Sequence, residues 1–140
     1  MSIIIGNGYD AYFCNKLFYM IFTKEIKDHL INATSKALAT SFNNDLNVVP
    51  VSTVKIVENE IWLIDYFFKK TKSNFLNNPK VALTFWSDTI GFQIKANVNY
   101  FTVGEKYEMA TEWISELHPE RTVKGLLILE IDQIFDISLR

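Results

Sequence analysis

The sequence is poor in the side chains on which most enzymes and metal sites rely. Its single cysteine, Cys14, excludes an intrachain disulfide framework and a clustered cysteine metal site. Its two histidines, His29 and His118, stand far apart in the chain and argue against a structural zinc site. No run of about 18 apolar residues occurs, so no transmembrane helix is expected. A signal peptide is not expected either, since no basic start precedes the first apolar patch and no small-residue cleavage site follows it. An intracellular, cytoplasmic protein outside the membrane is the expectation. An excess of positive charge is also missing. With 14 Lys and Arg against 16 Asp and Glu the net charge is −2, whereas a general nucleic-acid binder carries a basic excess. The common catalytic signatures are absent: no Gly-rich dinucleotide fingerprint, no Gly-Lys-Ser/Thr phosphate loop and no His-Glu-x-x-His, nor a Gly-x-Ser-x-Gly elbow. Glu58 and Glu60 sit in a turn and read as solvated charges. A chain so short of reactive groups, if it is an enzyme, borrows its chemistry from a cofactor.

What is present is apolar and aromatic. The 140 residues make one domain, long enough to bury a core without staples. A hydrophobic share of 49%, with 14% aromatic residues, points to apolar surface that a monomer leaves open, hence a dimer interface, a ligand pocket or both. Residues 1–22 are apolar only in patches, interrupted by Gly6, Asn7, Gly8, Asp10, Asn15 and Lys16. They read as an N-terminal extension packed on the domain or its partner subunit, with Met20 a candidate alternative start. The domain proper is expected over 23–140.

Along that domain, Thr23 to Leu30 reads as a helix capped by Thr23, with Phe22, Ile26 and Leu30 on one face. Lys36 to Thr40 is a short strand ended by Asn43-Asn44-Asp45. Asn47 to Val57 is rich in β-branched residues and reads as one strand, turned by Glu58-Asn59-Glu60 into Ile61 to Ile64 as a hairpin. Pro50 inside that strand donates no ladder hydrogen bond. It marks either an edge strand or a break where a flat ligand lies against Val49, Pro50 and Val51. A strand from Val81 to Trp86 turns at Ser87-Asp88-Thr89 into Gly91 to Thr102. There Phe92, Ile94, Ala96, Val98 and Tyr100 alternate with polar residues. A helix from Glu105 to Leu117 carries Tyr107, Ala110, Trp113, Ile114 and Leu117 as its apolar stripe. Gly125 to Ile131 is almost continuously apolar, as in a strand buried on both faces. Six strands, mostly linked by hairpins, predict a mainly β, antiparallel split barrel with flanking helices.

The junction Asp65 to Asn74 concentrates the candidate chemistry. A strand gives way there to a short helix, roughly Thr71 to Asn77, whose free N–H groups favour an anion. Lys70 and Thr71 would add a cation and a hydroxyl. The plainer alternative is a solvated basic turn with Thr71 as an ordinary N-cap.

Five pieces in order and spacing carry a family resemblance. They are Ala37-Leu38-Ala39-Thr40-Ser41, Asn47-Val48-Val49-Pro50-Val51-Ser52, Lys70-Thr71-Lys72-Ser73-Asn74, Asn78-Pro79-Lys80-Val81-Ala82-Leu83 and Gly91-Phe92-Gln93-Ile94-Lys95. From Thr23 to Asp136 the chain resembles the pyridoxamine 5′-phosphate oxidase-like, FMN-binding split-barrel proteins, particularly their small members. The resemblance implies a homodimer with flavin at the subunit interface. It also implies an oxidoreductase or electron-transfer role with a small-molecule electron donor or acceptor. In such proteins the pair corresponding to Lys70 and Thr71 holds the flavin phosphate, with Asn74 assisting. Val48, Val49, Pro50, Val51 and Ser52 line the ring, Asp65, Tyr66 and Phe67 border the ring or ribityl chain, and Gln93 contributes from the same or the partner subunit. No side chain is implied as an obligate acid or base. One departure counts against true pyridoxamine phosphate oxidation: the full-length oxidases carry several arginines for the substrate phosphate, and this chain has only Arg121 and Arg140.

Two rival readings follow from the same residues. One is a split barrel that carries a ligand without chemistry, such as haem or a deazaflavin, with His118 a candidate haem ligand. The other is a nucleic-acid barrel using Tyr66, Phe67 and Phe68 as stacking platforms, which the charge balance opposes.

Overall fold

The computed structural model describes residues 21–139, so the expected N-terminal extension lies outside the described residues except for Ile21 and Phe22. Helix α1 (Lys24–Asn32) opens the described chain, and the Thr23 hydroxyl accepts the Ile26 amide at 3.2 Å, the cap expected there. Four strands follow: β1 (Ser35–Phe42), β2 (Asp45–Pro50), β3 (Val54–Val57) and β4 (Glu60–Asp65). Then come helix α2 (Lys70–Asn77), β5 (Lys80–Ser87), β6 (Ile90–Phe101), α3 (Glu105–Leu117) and β7 (Gly125–Asp136). The strands form one antiparallel sheet in the order β2-β1-β5-β6-β7-β4-β3. Its two edges, β2 and β3, are not paired with each other, which gives the open barrel of the split-barrel fold.

The strand count is seven among the described residues, where six were expected. The difference lies at Pro50, which ends β2. The amide of Val51 still donates to the Lys36 carbonyl at 3.0 Å, but beyond it the chain leaves β1. It resumes as β3 against β4, at the other end of the sheet order. The run expected as one strand over Asn47 to Val57 is therefore two edge strands joined by a short unpaired link. Proline suits this position because an edge leaves its missing N–H without consequence.

Three hairpins turn on two residues each. Asn43 and Asn44, at φ 54° and 63°, join β1 to β2 with Phe42 facing Asp45. Both central residues at positive φ is the turn whose twist matches the flanking strands, and asparagine tolerates that conformation best after glycine. Glu58-Asn59 joins β3 to β4, and Asp88-Thr89 joins β5 to β6. The long excursion is from β6 to β7, through α3.

Two hydrophobic clusters lie on opposite faces of the same strands. Ile61 and Leu63 of β4 and Leu127 and Leu129 of β7 point into the barrel, with Leu38, Leu83, Phe85, Ile94 and α1 residues Ile26 and Leu30. Trp62 and Ile64, with Leu126 and Ile128, face outward beneath Ala110 and Ile114 of α3. Both faces of β4 and of Gly125 to Leu129 in β7 are thus apolar, which is why these stretches run without alternation. β6 places Phe92, Ile94, Ala96, Val98 and Tyr100 on the barrel side and keeps the alternation. Each fully buried Leu or Ile here contributes roughly 1.5–3 kcal/mol relative to exposure.

Candidate functional site

The unpaired link after Pro50 borders a cavity of about 550 Å³. Three segments wall it. The first is Val49 to Thr53, the end of β2 and the link. The second is the end of β4 with Ile64 and the turn after it, contributing Tyr66, Phe67, Phe68 and Lys69 before Thr71 of α2. The third is Arg121 and Thr122, between α3 and β7. Most of these side chains are apolar or aromatic, and the cations Lys69 and Arg121 are the charged members.

The turn is held from below by Asp65, the last residue of β4, which is 1% exposed. One carboxylate oxygen accepts the Phe68 amide at 2.7 Å, and the other accepts the Tyr100 hydroxyl at 2.6 Å. Its carbonyl accepts the Lys124 amide at 2.8 Å, so the same residue ties down the segment carrying Arg121. Burial, with the hydrogen bond to Asp65 adding to it, pushes the Tyr100 phenol well above its ordinary value. Tyr100 reaches Asp65 across Gly125, where a Cβ would sit 2.2 Å from the phenol oxygen.

Helix α2 starts directly behind this turn. Its N-cap is Lys69, with no side-chain cap, so the first amides of the helix keep their free donors. Thr71 is not the cap. It is the second helical residue, 2% exposed, and its hydroxyl accepts Asn47 Nδ2 at 2.8 Å. That bond clips the helix start to edge strand β2. One turn later, buried Asn74 donates Nδ2 to Thr40 Oγ1 at 3.1 Å. Lys70 turns away to an exposed ion pair with Asp45 at the start of β2.

The opposite wall is a stack. The Arg121 guanidinium lies 5.2 Å from the centre of the Tyr66 ring and reaches Thr53 Oγ1 at 3.5 Å. The Tyr66 hydroxyl donates to the same threonine oxygen at 3.2 Å. Glu120 stands 3.6 Å from Arg121 Nε.

Of the residues singled out in the sequence, Val49, Pro50, Val51, Ser52, Tyr66, Phe67 and Thr71 come together on this cavity. Asp65, Lys70 and Asn74 stand next to it without lining it, holding the turn, β2 and β1 respectively. Val48 lies exposed on edge strand β2. Gln93 sits on β6 opposite Thr84, whose Oγ1 its Nε2 approaches at 3.5 Å. Thr53, Ile64, Phe68, Lys69, Arg121 and Thr122 also line the cavity and were not among the expected flavin contacts, Phe68 having figured only in the nucleic-acid reading. Thr53 and Phe68 adjoin residues that were, and the scarcity of arginine was the only signal for Arg121.

The donor set fits a phosphorylated, flat cofactor. Small-molecule and cofactor pockets span about 300–1,000 Å³ and combine apolar walls with a few polar groups, and this cavity has both. A helix start beside a lysine and a threonine is chemistry suited to a phosphate. Among the described residues no cluster of His, Cys, Asp and Glu could hold a metal ion, and no helix is long and apolar enough to cross a membrane.

Fold and site together define a split-barrel domain with a cofactor-sized cavity at the break in its sheet. The chain belongs to the pyridoxamine 5′-phosphate oxidase family, whose profile matches residues 22–138. It is 29% identical over 120 residues to an uncharacterised protein of Methanocaldococcus jannaschii, a match covering 83% of this chain and 80% of that one. Its fold is similar to that of HupZ from Group A Streptococcus, with a TM-score of 0.75 and 22% identity over 85% of this chain and 95% of that one. An FMN-binding protein from Syntrophomonas wolfei is similar over 96% of this chain and 99% of its own, with a TM-score of 0.68 and 17% identity.

Proposed function

We propose that this protein is an FMN-binding flavoprotein, a homodimer that works as a small oxidoreductase or electron-transfer protein. The observation that carries the reading is the cavity between the strand break at Val49 to Thr53 and the open start of α2. The phosphate would sit at the α2 start, held by the free amides, Thr71 and the nearer lysine. The ring would lie against Val49, Pro50 and Val51, with Tyr66 and Phe67 at its border. When bound, the flavin supplies the redox chemistry, accepting and releasing a hydride or electrons. The chain's own residues bind and orient it and keep water off the apolar face. No cavity residue is poised as an obligate acid or base.

Family membership and the FMN-binding relative of the same fold support the cofactor. The dimer is supported by apolar residues left open on edge strand β2, where Leu46 is 81% exposed and Val48 64%. A small-molecule electron donor or acceptor completes the reading. So does a cytoplasmic setting, in keeping with the single cysteine. The division into residues 1–22 and a binding domain over 23–140 belongs to the same proposal.

The test is a visible spectrum of the purified protein, followed by titration with FMN. Bound FMN gives a yellow protein with quenched flavin fluorescence. A colourless protein that takes up no FMN overturns the reading. Titration with haem and with a deazaflavin in parallel decides whether the barrel is instead a carrier of either.

A further inference from the structure

We propose that the Asp65–Tyr100 pair is the positioning element of the cavity and sets its preference for a phosphorylated over an unphosphorylated flavin. This inference rests on the flavin reading above and goes beyond it, because neither residue lines the cavity. Asp65 is a buried carboxylate whose two oxygens are each taken by a neutral donor, the Phe68 amide and the Tyr100 hydroxyl. A buried carboxylate is held in place by such donors, since losing one leaves an oxygen dry and unpaired.

The geometry passes from that carboxylate to the phosphate end by a short path. The hydrogen bond that the Phe68 amide donates to Asp65 fixes the turn one residue before Lys69 and two before the first residue of α2. Ser73 closes the first helical bond back to the Lys69 carbonyl at 2.9 Å, so a shift of the turn is a shift of the free amides ahead of it. Gly125 makes the arrangement possible, because any side chain there would occupy the space of the Tyr100 ring. Lys72, on the first turn of α2, lies 5.4 Å from the centre of that ring and ties the helix to Tyr100 a second time. The ring wall at Val49 to Val51 is paired to β1, and its link to α2 runs only through Asn47 and Asp45 at the far end of β2. Loosening the pair therefore disturbs the phosphate seat most, reaches the ring border only through Tyr66 and Phe67 of the same turn, and leaves the wall at Val49 to Val51 on its bonds to β1.

The test is a comparison of FMN and riboflavin affinities by fluorescence titration in wild type, Tyr100→Phe and Asp65→Asn. Tyr100→Phe removes one oxygen and is the deciding variant. Its FMN affinity is expected to fall about tenfold and its riboflavin affinity by much less, because only FMN carries the phosphate. Asp65→Asn keeps an acceptor for the Phe68 amide and a partner for the Tyr100 hydroxyl, so it retains part of the preference. A general loss of structure would weaken both flavins equally, and that outcome in folded Tyr100→Phe overturns the proposal. So does a variant that keeps the wild-type preference for FMN. A wild type that binds neither flavin overturns the cofactor reading itself and is distinct from both.

Discussion

Lys70 pairs with Asp45 across the gap between α2 and edge strand β2, and this leaves Lys69 as the lysine that borders the cavity. The ion pair is exposed and contributes roughly 0–1 kcal/mol, but it engages the Lys70 ammonium.

Lys69→Ala is accordingly expected to weaken FMN more than Lys70→Ala. A charge-assisted phosphate contact is worth roughly 1.5–3 kcal/mol, so the Lys69 variant should lose at least about tenfold in affinity. Isothermal titration with both variants checks this. A larger loss for Lys70→Ala would show that the Asp45 pair opens to admit the phosphate.

Thr71→Val deletes the acceptor for Asn47 Nδ2 and unclips α2 from β2. The expected cost is roughly 1–3 kcal/mol, read as a lower urea midpoint without added ligand. FMN affinity should fall as well, since Thr71 lines the cavity. Thr71→Ser should restore both.

Gly125→Ala forces a methyl group into the Tyr100 ring, with the phenol carbon and oxygen within 2.3 Å of the new atom. Overpacking of this kind costs roughly 1–3 kcal/mol. The loss should shrink when Tyr100 is replaced by leucine in the same chain. Urea denaturation of the single and double variants measures that coupling.

The raised Tyr100 pKa has a consequence at alkaline pH. The phenol keeps its proton in the folded protein beyond the value of 10.0 at which the unfolded chain releases it. Its contribution to stability is complete below that value and is lost as pH rises from there toward the folded pKa. Urea titrations between pH 9 and 11.5 should therefore show a steeper loss for wild type than for Tyr100→Phe.

Leu46→Glu with Val48→Glu puts charge on the open face of β2. If the proposed dimer forms through this face, sedimentation should then detect monomers for the variant and dimers for wild type, with the far-ultraviolet circular dichroism unchanged.

Patterns carried by neighbours in sequence were legible before the structure. The Thr23 cap, the Asn43-Asn44 turn, the alternation of β6 and the unbroken apolar runs of β4 and β7 are all local signals. The segments around Pro50 and Lys70 stood out for the same reason. Arg121 could not be read in this way, because it meets Thr53 from 68 residues away. Nor could the role of Asp65. A carboxylate at the end of a strand has the same sequence signature whether it faces a ligand or bonds a turn, and only the approach of Tyr100 across Gly125 decides. The link after Pro50 was visible as a proline but not as a change of partner strand, since pairing is a long-range property.

The two-sided burial of β4 and β7 divides the molecule by local opening energy. Amides along that pair should exchange with solvent only through global unfolding, whereas those of β2 and β3, with one neighbour each, should open independently. The cavity spans the boundary, with Ile64 on the slow side and Val49 to Thr53 on the fast side. An occupant would slow deuterium uptake in β2 and the link while leaving β4 and β7 as they were. The edge of the sheet would thus report the ligand.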